Sequence, residues 1–190
     1  MRNGKRAIRD KFDEFCSSER AWLDDYALFM TCKGEYGGAE WLRWDRELVM
    51  REPGALRSVA SRAASTLQFH RFAQFLFFRQ WEDLKKYAQV RGIGIIGDLP
   101  IFVAGDSADV WSNPELFRLD SERRPLSVAG VPPDYFSATG QLWGNPVYDW
   151  KAARESGYQW WIDRMAALLR RVDVARIDHF RGFCSCWEVP

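Results

Sequence analysis

The sequence predicts an α/β fold organised around a parallel sheet, with a helical block ahead of it, and three observations carry that prediction. Two short apolar runs, Ile93-Gly94-Ile95-Ile96-Gly97-Asp98-Leu99 and Val172-Asp173-Val174-Ala175-Arg176-Ile177-Asp178, have the character of buried parallel strands. A helical pattern from Tyr158 to Arg171, with Trp161, Met165, Leu168 and Leu169 on one side, leads straight into the second run. Upstream, apolar residues recur at intervals of three and four over two long stretches. Strand, connection, helix and strand make a βα unit with its following strand, which calls for a right-handed crossover.

Each element has its own signal. Residues 7–32 read as helix through Phe12, Phe15, Trp22, Leu23, Tyr26 and Phe29. Gly34, Gly37 and Gly38 punctuate, and Pro53-Gly54 marks a turn. Residues 55–91 read as a further helix with a buried stripe of Phe69, Phe72, Leu76, Trp81, Leu84 and Ala88, stopped by Gly92. The first strand then covers about 93–99. The connection from about 102 to 157 is far longer than an ordinary βα loop, yet it holds Trp111, Phe117, Tyr135, Phe136, Trp143, Tyr148 and Trp150 and reads as an ordered active-site loop. Within it, Asn113-Pro114-Glu115 predicts a helix start, while Val131-Pro132-Pro133, Gly140 and Gly144-Asn145-Pro146 predict stiff turns. The second strand covers about 172–178.

A chain of 190 residues has room for about one ordinary domain. At 47% apolar and 28% charged it is not a disordered tail, and 27 Lys plus Arg against 26 Asp plus Glu give no bulk attraction to nucleic acid or an acidic membrane. The strongly apolar stretch Phe72–Phe78 is broken by Gln74 and is too short to cross a bilayer. Cys16, Cys32, Cys184 and Cys186 form no disulfide framework, and with only two histidines, His70 and His179, no metal site is expected. The opening residues lack the apolar run of a secretion signal, so a soluble, cytoplasmic protein with reduced thiols is expected. Ten Trp, six Tyr and thirteen Phe are an aromatic excess that serves either as core or as a surface on which sugar rings stack.

Alternation puts Val174, Arg176 and Asp178 on one face of the second strand, and Gly94, Ile96 and Asp98 on one face of the first. Charged residues at the C-terminal end of a parallel strand occupy the position where βα barrels carry catalytic groups, and a neighbouring cation keeps a carboxylate ionised and nucleophilic. Arg176 and Asp178 also read as a buried structural ion pair at a strand end, His179 as a hydrogen-bonded structural residue, and the Tyr135–Trp143 aromatics as loop core.

The segments Ile95–Val103, Asp106–Trp111, 128–150 (VAGVPPDYFSATGQLWGNPVYDW) and Arg176–Phe183, in that order, closely resemble the 4-α-glucanotransferases known as amylomaltases or disproportionating enzymes. Trp22–Phe29 and Gln80-Trp81 fit as well, so the resemblance runs over nearly the whole chain. It implies a partial (β/α)8 TIM barrel with a helical inserted subdomain: residues 1–91 as that subdomain, and 92–190 as the barrel segment. It implies transfer of α-1,4-glucan segments between maltodextrins by retaining double displacement, without metal or organic cofactor. By motif, Asp178 stands in the place of the nucleophile, and Arg176 in that of the Arg that hydrogen-bonds and orients it. Asp98 and His179 stand in places that hold the sugar. Tyr135, Phe136 and Trp143 match an aromatic loop over the acceptor. Cys186 departs from the pattern, since an aromatic often precedes the Trp of the segment Trp187-Glu188-Val189-Pro190.

A whole barrel takes about 250 residues, and a retaining mechanism needs a second carboxyl about 5 Å from the nucleophile. The family's acid/base Glu follows later than Pro190, so the chain is expected to be a central piece whose partners include the missing parts of its own barrel. A hydrolase of the same superfamily and an inactive glucan-binding or vestigial chain are the alternatives.

Overall fold

The computed structural model describes residues 2–135 and 137–190, with side chains from residue 6 onward. The chain is α/β and resolves into two compact units, residues 1–83 and 84–190.

The first unit is helical: α1 (Arg2–Ser18), α2 (Arg20–Glu35), the short α3 (Arg46–Val49), α4 (Pro53–Arg62) and most of α5 (Ala64–Gln89). Each long helix expected from the periodicity is bent into two. At Glu19 the bonds Glu19 N to Phe15 O and Leu23 N to Glu19 O run across the bend, and at Ala63 those of Ala63 N to Val59 O and Leu67 N to Ala63 O do the same. A bend that keeps its hydrogen bonds also keeps the three-and-four spacing, which is why the sequence alone reads one helix. The Trp22 indole donates to the Glu19 carboxylate at 2.6 Å, giving that largely buried acid a partner at the bend. Phe12, Phe15, Trp22, Phe72, Phe75 and Phe78 interlock through ring contacts of 5.4–5.8 Å, above a core of Leu23, Ala27, Val59 and Leu67.

The second unit is built on two parallel strands, β1 (Ile96–Pro100) and β4 (Val174–Asp178), in the register Ile96 to Val174, Asp98 to Arg176 and Pro100 to Asp178. Both strands start later than their apolar runs. Ahead of them the Asp173 carboxylate accepts from Ile95 N (2.9 Å) and Gln89 Nε2 (3.0 Å), and these bonds hold its carboxyl below the usual range. Lys85 Nζ donates to the carbonyls of Arg170 and Val172 at 3.3 and 3.1 Å. Gly92, at φ 69°, stops α5 as expected. Helix α8 (Gln159–Arg171) and the residue after it cover the face that carries Gly97 and the buried Leu99, and a Cβ on Gly97 would lie 2.6 Å from Val172 Cγ1 and 3.2 Å from Leu168 Cδ1.

Between β1 and α8 the long connection is ordered, with architecture the sequence did not reveal. It holds α6 (Ala108–Ser112), the hairpin of β2 (Val128–Val131) and β3 (Gln141–Pro146), and α7 (Trp150–Glu155). Past β4, β5 (Trp187–Val189) joins that hairpin to give an antiparallel sheet of order β3-β2-β5. Ser127 Oγ and Arg118 Nη1 both donate to Glu188 of β5, at 2.8 and 2.5 Å. The helix expected to start at Asn113-Pro114-Glu115 is one 3-10 turn, Pro114–Leu116: Asn113 does not cap it but donates back to Asp109 O at 3.0 Å. Much of the aromatic excess is core here. Tyr148 stacks on Phe102 and meets Phe117, Trp150, Trp160 and Trp161, and Trp161 packs on Phe183 at 4.9 Å. Burial pushes the Tyr148 phenol above its ordinary pKa, and its hydroxyl donates to Ile101 O at 2.8 Å.

Candidate functional site

Register and pleat build the site. With α8 on one face of the β1–β4 pair, Ile96, Asp98, Pro100, Val174, Arg176 and Asp178 all lie on the other, open face. Opposed across the strands, Asp98 and Arg176 form a two-pronged pair, with Arg176 Nε donating to Asp98 Oδ1 at 2.6 Å and Nη2 to Oδ2 at 2.5 Å. Arg176 therefore pairs with Asp98 rather than Asp178, which corrects the hydrogen bond that the resemblance implies. The reason is distance: facing residues on paired strands are about 5 Å apart, whereas residues two apart along one strand are nearly 7 Å apart. The Asp98 hydrogen bonds, and then its charge, raise the Arg176 pKa further, and the Asp178 charge adds to this through space. Among the described residues the Asp178 side chain accepts no hydrogen bond.

Past Asp178, His179 turns the chain in the left-handed region at φ 51°, a conformation costly for a residue with a side chain and concentrated at functional positions. It leads into a 3-10 turn, Phe180–Phe183, closed by Gly182 N donating to His179 O at 2.8 Å. The His179 ring meets the edge of Trp143 at 5.1 Å and 82°. Trp143 also lies 6.1 Å from Phe102, just past β1, and its indole N–H donates to Gln141 Oε1 at 3.0 Å. At 38% exposure it keeps a face open to solvent.

Asp98, Arg176, Asp178, His179 and Trp143 are thus gathered where the two parallel strands end. Tyr135 lies in the segment between β2 and β3 and is 97% exposed. Phe136 lies outside the described residues. Sequence reasoning missed the side chains that hold the strand exit in place. Arg164 Nη2 donates to Pro100 O at 2.8 Å, Tyr148 Oη to Ile101 O, and Asn145 Nδ2 to Val103 O at 2.7 Å. Their only signal was a polar residue beside a turn or on a helix, and the carbonyls they serve cannot be named before folding. Near Arg164, the Asp109 carboxyl is pushed above its ordinary range by desolvation, which the Arg164 charge partly offsets.

Chemically, this is a carboxylate at an open strand end, beside a fixed carboxylate–guanidinium pair and followed in sequence by a histidine that meets Trp143. Both Asp98 oxygens are engaged by one guanidinium, so Asp98 is committed as an acceptor and is not placed to hand a proton to a leaving group. Among the described residues no three His, Cys, Asp or Glu side chains are arranged to hold a metal ion, and no helix is long and apolar enough to cross a membrane.

Comparison with known proteins places these features in context. A family model described as 4-alpha-glucanotransferase matches residues 2–190. A 4-alpha-glucanotransferase of Synechocystis sp. is 55% identical over 189 residues, covering 99% of this chain and 37% of the relative. One from Thermus thermophilus is 54% identical over 182 residues, covering 96% of this chain and 36% of the relative. Among solved structures, an amylomaltase from Streptococcus agalactiae in complex with acarbose superposes with a TM-score of 0.92 at 43% identity, over 97% of this chain and 37% of the other. The chain therefore spans a little over a third of the length of the relatives it matches.

Proposed function

The chain belongs to the 4-alpha-glucanotransferase family, and on that footing we propose that it carries the nucleophile half of an active site that moves α-1,4-glucan segments between maltodextrins. The observation that supports this best is Asp178 at the C-terminal end of β4, without a hydrogen-bond partner among the described residues, beside the Asp98–Arg176 pair and followed by His179, whose ring meets Trp143. In this reading the Asp178 carboxylate attacks the anomeric carbon as the glycosidic C–O bond breaks, and the leaving oxygen takes a proton from a carboxylic acid supplied from outside these 190 residues. An acceptor hydroxyl then returns its proton to that group and displaces Asp178, with net retention. Arg176 holds Asp98 in place to accept sugar hydroxyls. His179 contacts the sugar at the cleaved unit. Trp143, Tyr135 and Phe136 lie over the acceptor glucan and shield the covalent intermediate from water, which favours transfer over hydrolysis.

On the same reading β1 and β4 are adjacent strands of a (β/α)8 barrel whose other strands would pair with their free edges, residues 1–91 form its helical inserted subdomain, and residues 92–190 form a barrel segment. Four free cysteines suit the reducing cytoplasm.

The test exchanges this chain for the matching segment of the Synechocystis sp. enzyme and adds a fluorinated glucosyl fluoride that stalls on the nucleophile. Mass spectrometry is expected to find the label on Asp178, and Asp178→Asn to abolish both label and turnover. A label on another residue refutes the assignment. With maltotriose the exchanged enzyme is expected to give glucose plus longer oligomers, whereas glucose and maltose alone would mean hydrolysis. A second reading, sugar binding without turnover by the 190 residues alone, is favoured by Asp98 being committed to Arg176, which leaves the open face without a proton donor.

A further inference from the structure

Trp143 does not follow the regular ladder of its hairpin. β2 and β3 pair Gly130 with Leu142 and Val128 with Pro146, so Trp143, Gly144 and Asn145 together stand opposite Ala129 alone. Extra residues of this kind bend a strand and re-aim its side chains, and they recur beside active sites. The bulge turns at Gly144, which adopts φ 76°, while a Cβ built there meets nothing within 4 Å. Glycine is therefore required at this point by the backbone conformation and not by lack of space. One residue on, Asn145 Nδ2 donates to Val103 O at 2.7 Å, tying the bulge to the segment that leaves β1. Trp143 itself reaches Phe102 beyond β1 and His179 beyond β4.

We propose that this bulge is a positioning device in which Gly144 supplies the left-handed turn, Asn145 anchors it to the exit of β1, and the two together hold the Trp143 indole edge-on against His179. Neither residue touches a reacting atom. The consequence for sugar binding, though not the device itself, rests on the reading of Trp143 as a sugar-contacting ring. The anchor depends on an amide, because a carboxylate at position 145 has no N–H for the Val103 carbonyl and sets a negative charge against it. At position 144 an alanine would fit the space but strain the backbone, whereas asparagine enters the left-handed region more readily.

NMR of the 190-residue chain tests the device directly, with ring signals identified through Trp143→Phe and His179→Gln. A nuclear Overhauser contact between the two rings is expected in the unmodified chain, lost in Asn145→Asp and Gly144→Ala, and retained in Gly144→Asn. Gly144→Ala adds one methyl to open space, so it carries the test if Asn145→Asp does not fold. A contact absent from the unmodified chain, or persisting in the variants that fold, overturns the proposal. Titration with maltoheptaose is expected to show about fivefold weaker binding for the two disrupting variants, the loss of roughly one ring contact. Loss of the ring contact with unchanged affinity overturns the claimed consequence. Loss of the contact in a chain that binds no maltoheptaose supports the device and counts against the sugar-site reading.

Discussion

Arg176 presents two N–H groups to Asp98 and none to Asp178, and that division of labour sets the chemistry of the open face. A carboxylate locked in a fork has a fixed orientation and a fixed role, while the neighbouring carboxylate stays available to a substrate. Asp109 of α6 shows the opposite regime. Desolvation raises its carboxyl above the ordinary 3.8, with the Arg164 charge offsetting part of the effect. The folded chain therefore holds this proton more tightly than the unfolded chain does. The group's contribution to stability is fully present below the unfolded value and is lost as pH rises through the folded one. Asp109→Asn, which has no charge to bury, is expected to gain stability over the unmodified chain as pH climbs from about 4 toward neutrality. Urea unfolding at the two ends of that range checks this, and an equal difference at both ends would contradict it.

The strand pair and the antiparallel sheet differ in how they are held. β1 and β4 are fixed by register and by the close seat of α8 on Gly97, where an added methyl would lie 2.6 Å from Val172 Cγ1. Gly97→Ala is expected to cost about 1–3 kcal/mol, as overpacking of a close contact does. Its urea midpoint should fall with little change in slope, and an unchanged midpoint would show that α8 yields freely. The two strands were legible because each is a short, mostly apolar run ended by charge. The hairpin was not: β2 is only four residues long, Pro132-Pro133 follow it, and a bulge interrupts β3, so no alternation survives to be read. The helices of the first unit were legible as helices but not as bent ones, because the hydrogen bonds that continue through Glu19 and Ala63 preserve the spacing.

Across the chain, each unit leaves large apolar side chains in water. In the first, Phe69, Phe72 and Leu76 of α5 are exposed, against the buried stripe that their spacing predicts; in the second, Ile96 and Val174, 68% and 54% exposed, lie on the same open face as Asp98 and Asp178. Side chains with these exposures are a liability for association. The isolated chain is expected to bind a hydrophobic dye, and a chain that binds none would contradict this. Periodicity and contiguous motifs are local properties of the chain, and they were enough to establish the α/β class, the two strands and the family. That Arg176 answers Asp98, that β5 joins the hairpin, and that Trp143 meets His179 emerged only on folding. Those pairings join residues far apart in sequence, and strand register and a bulge set them only once the backbone has closed.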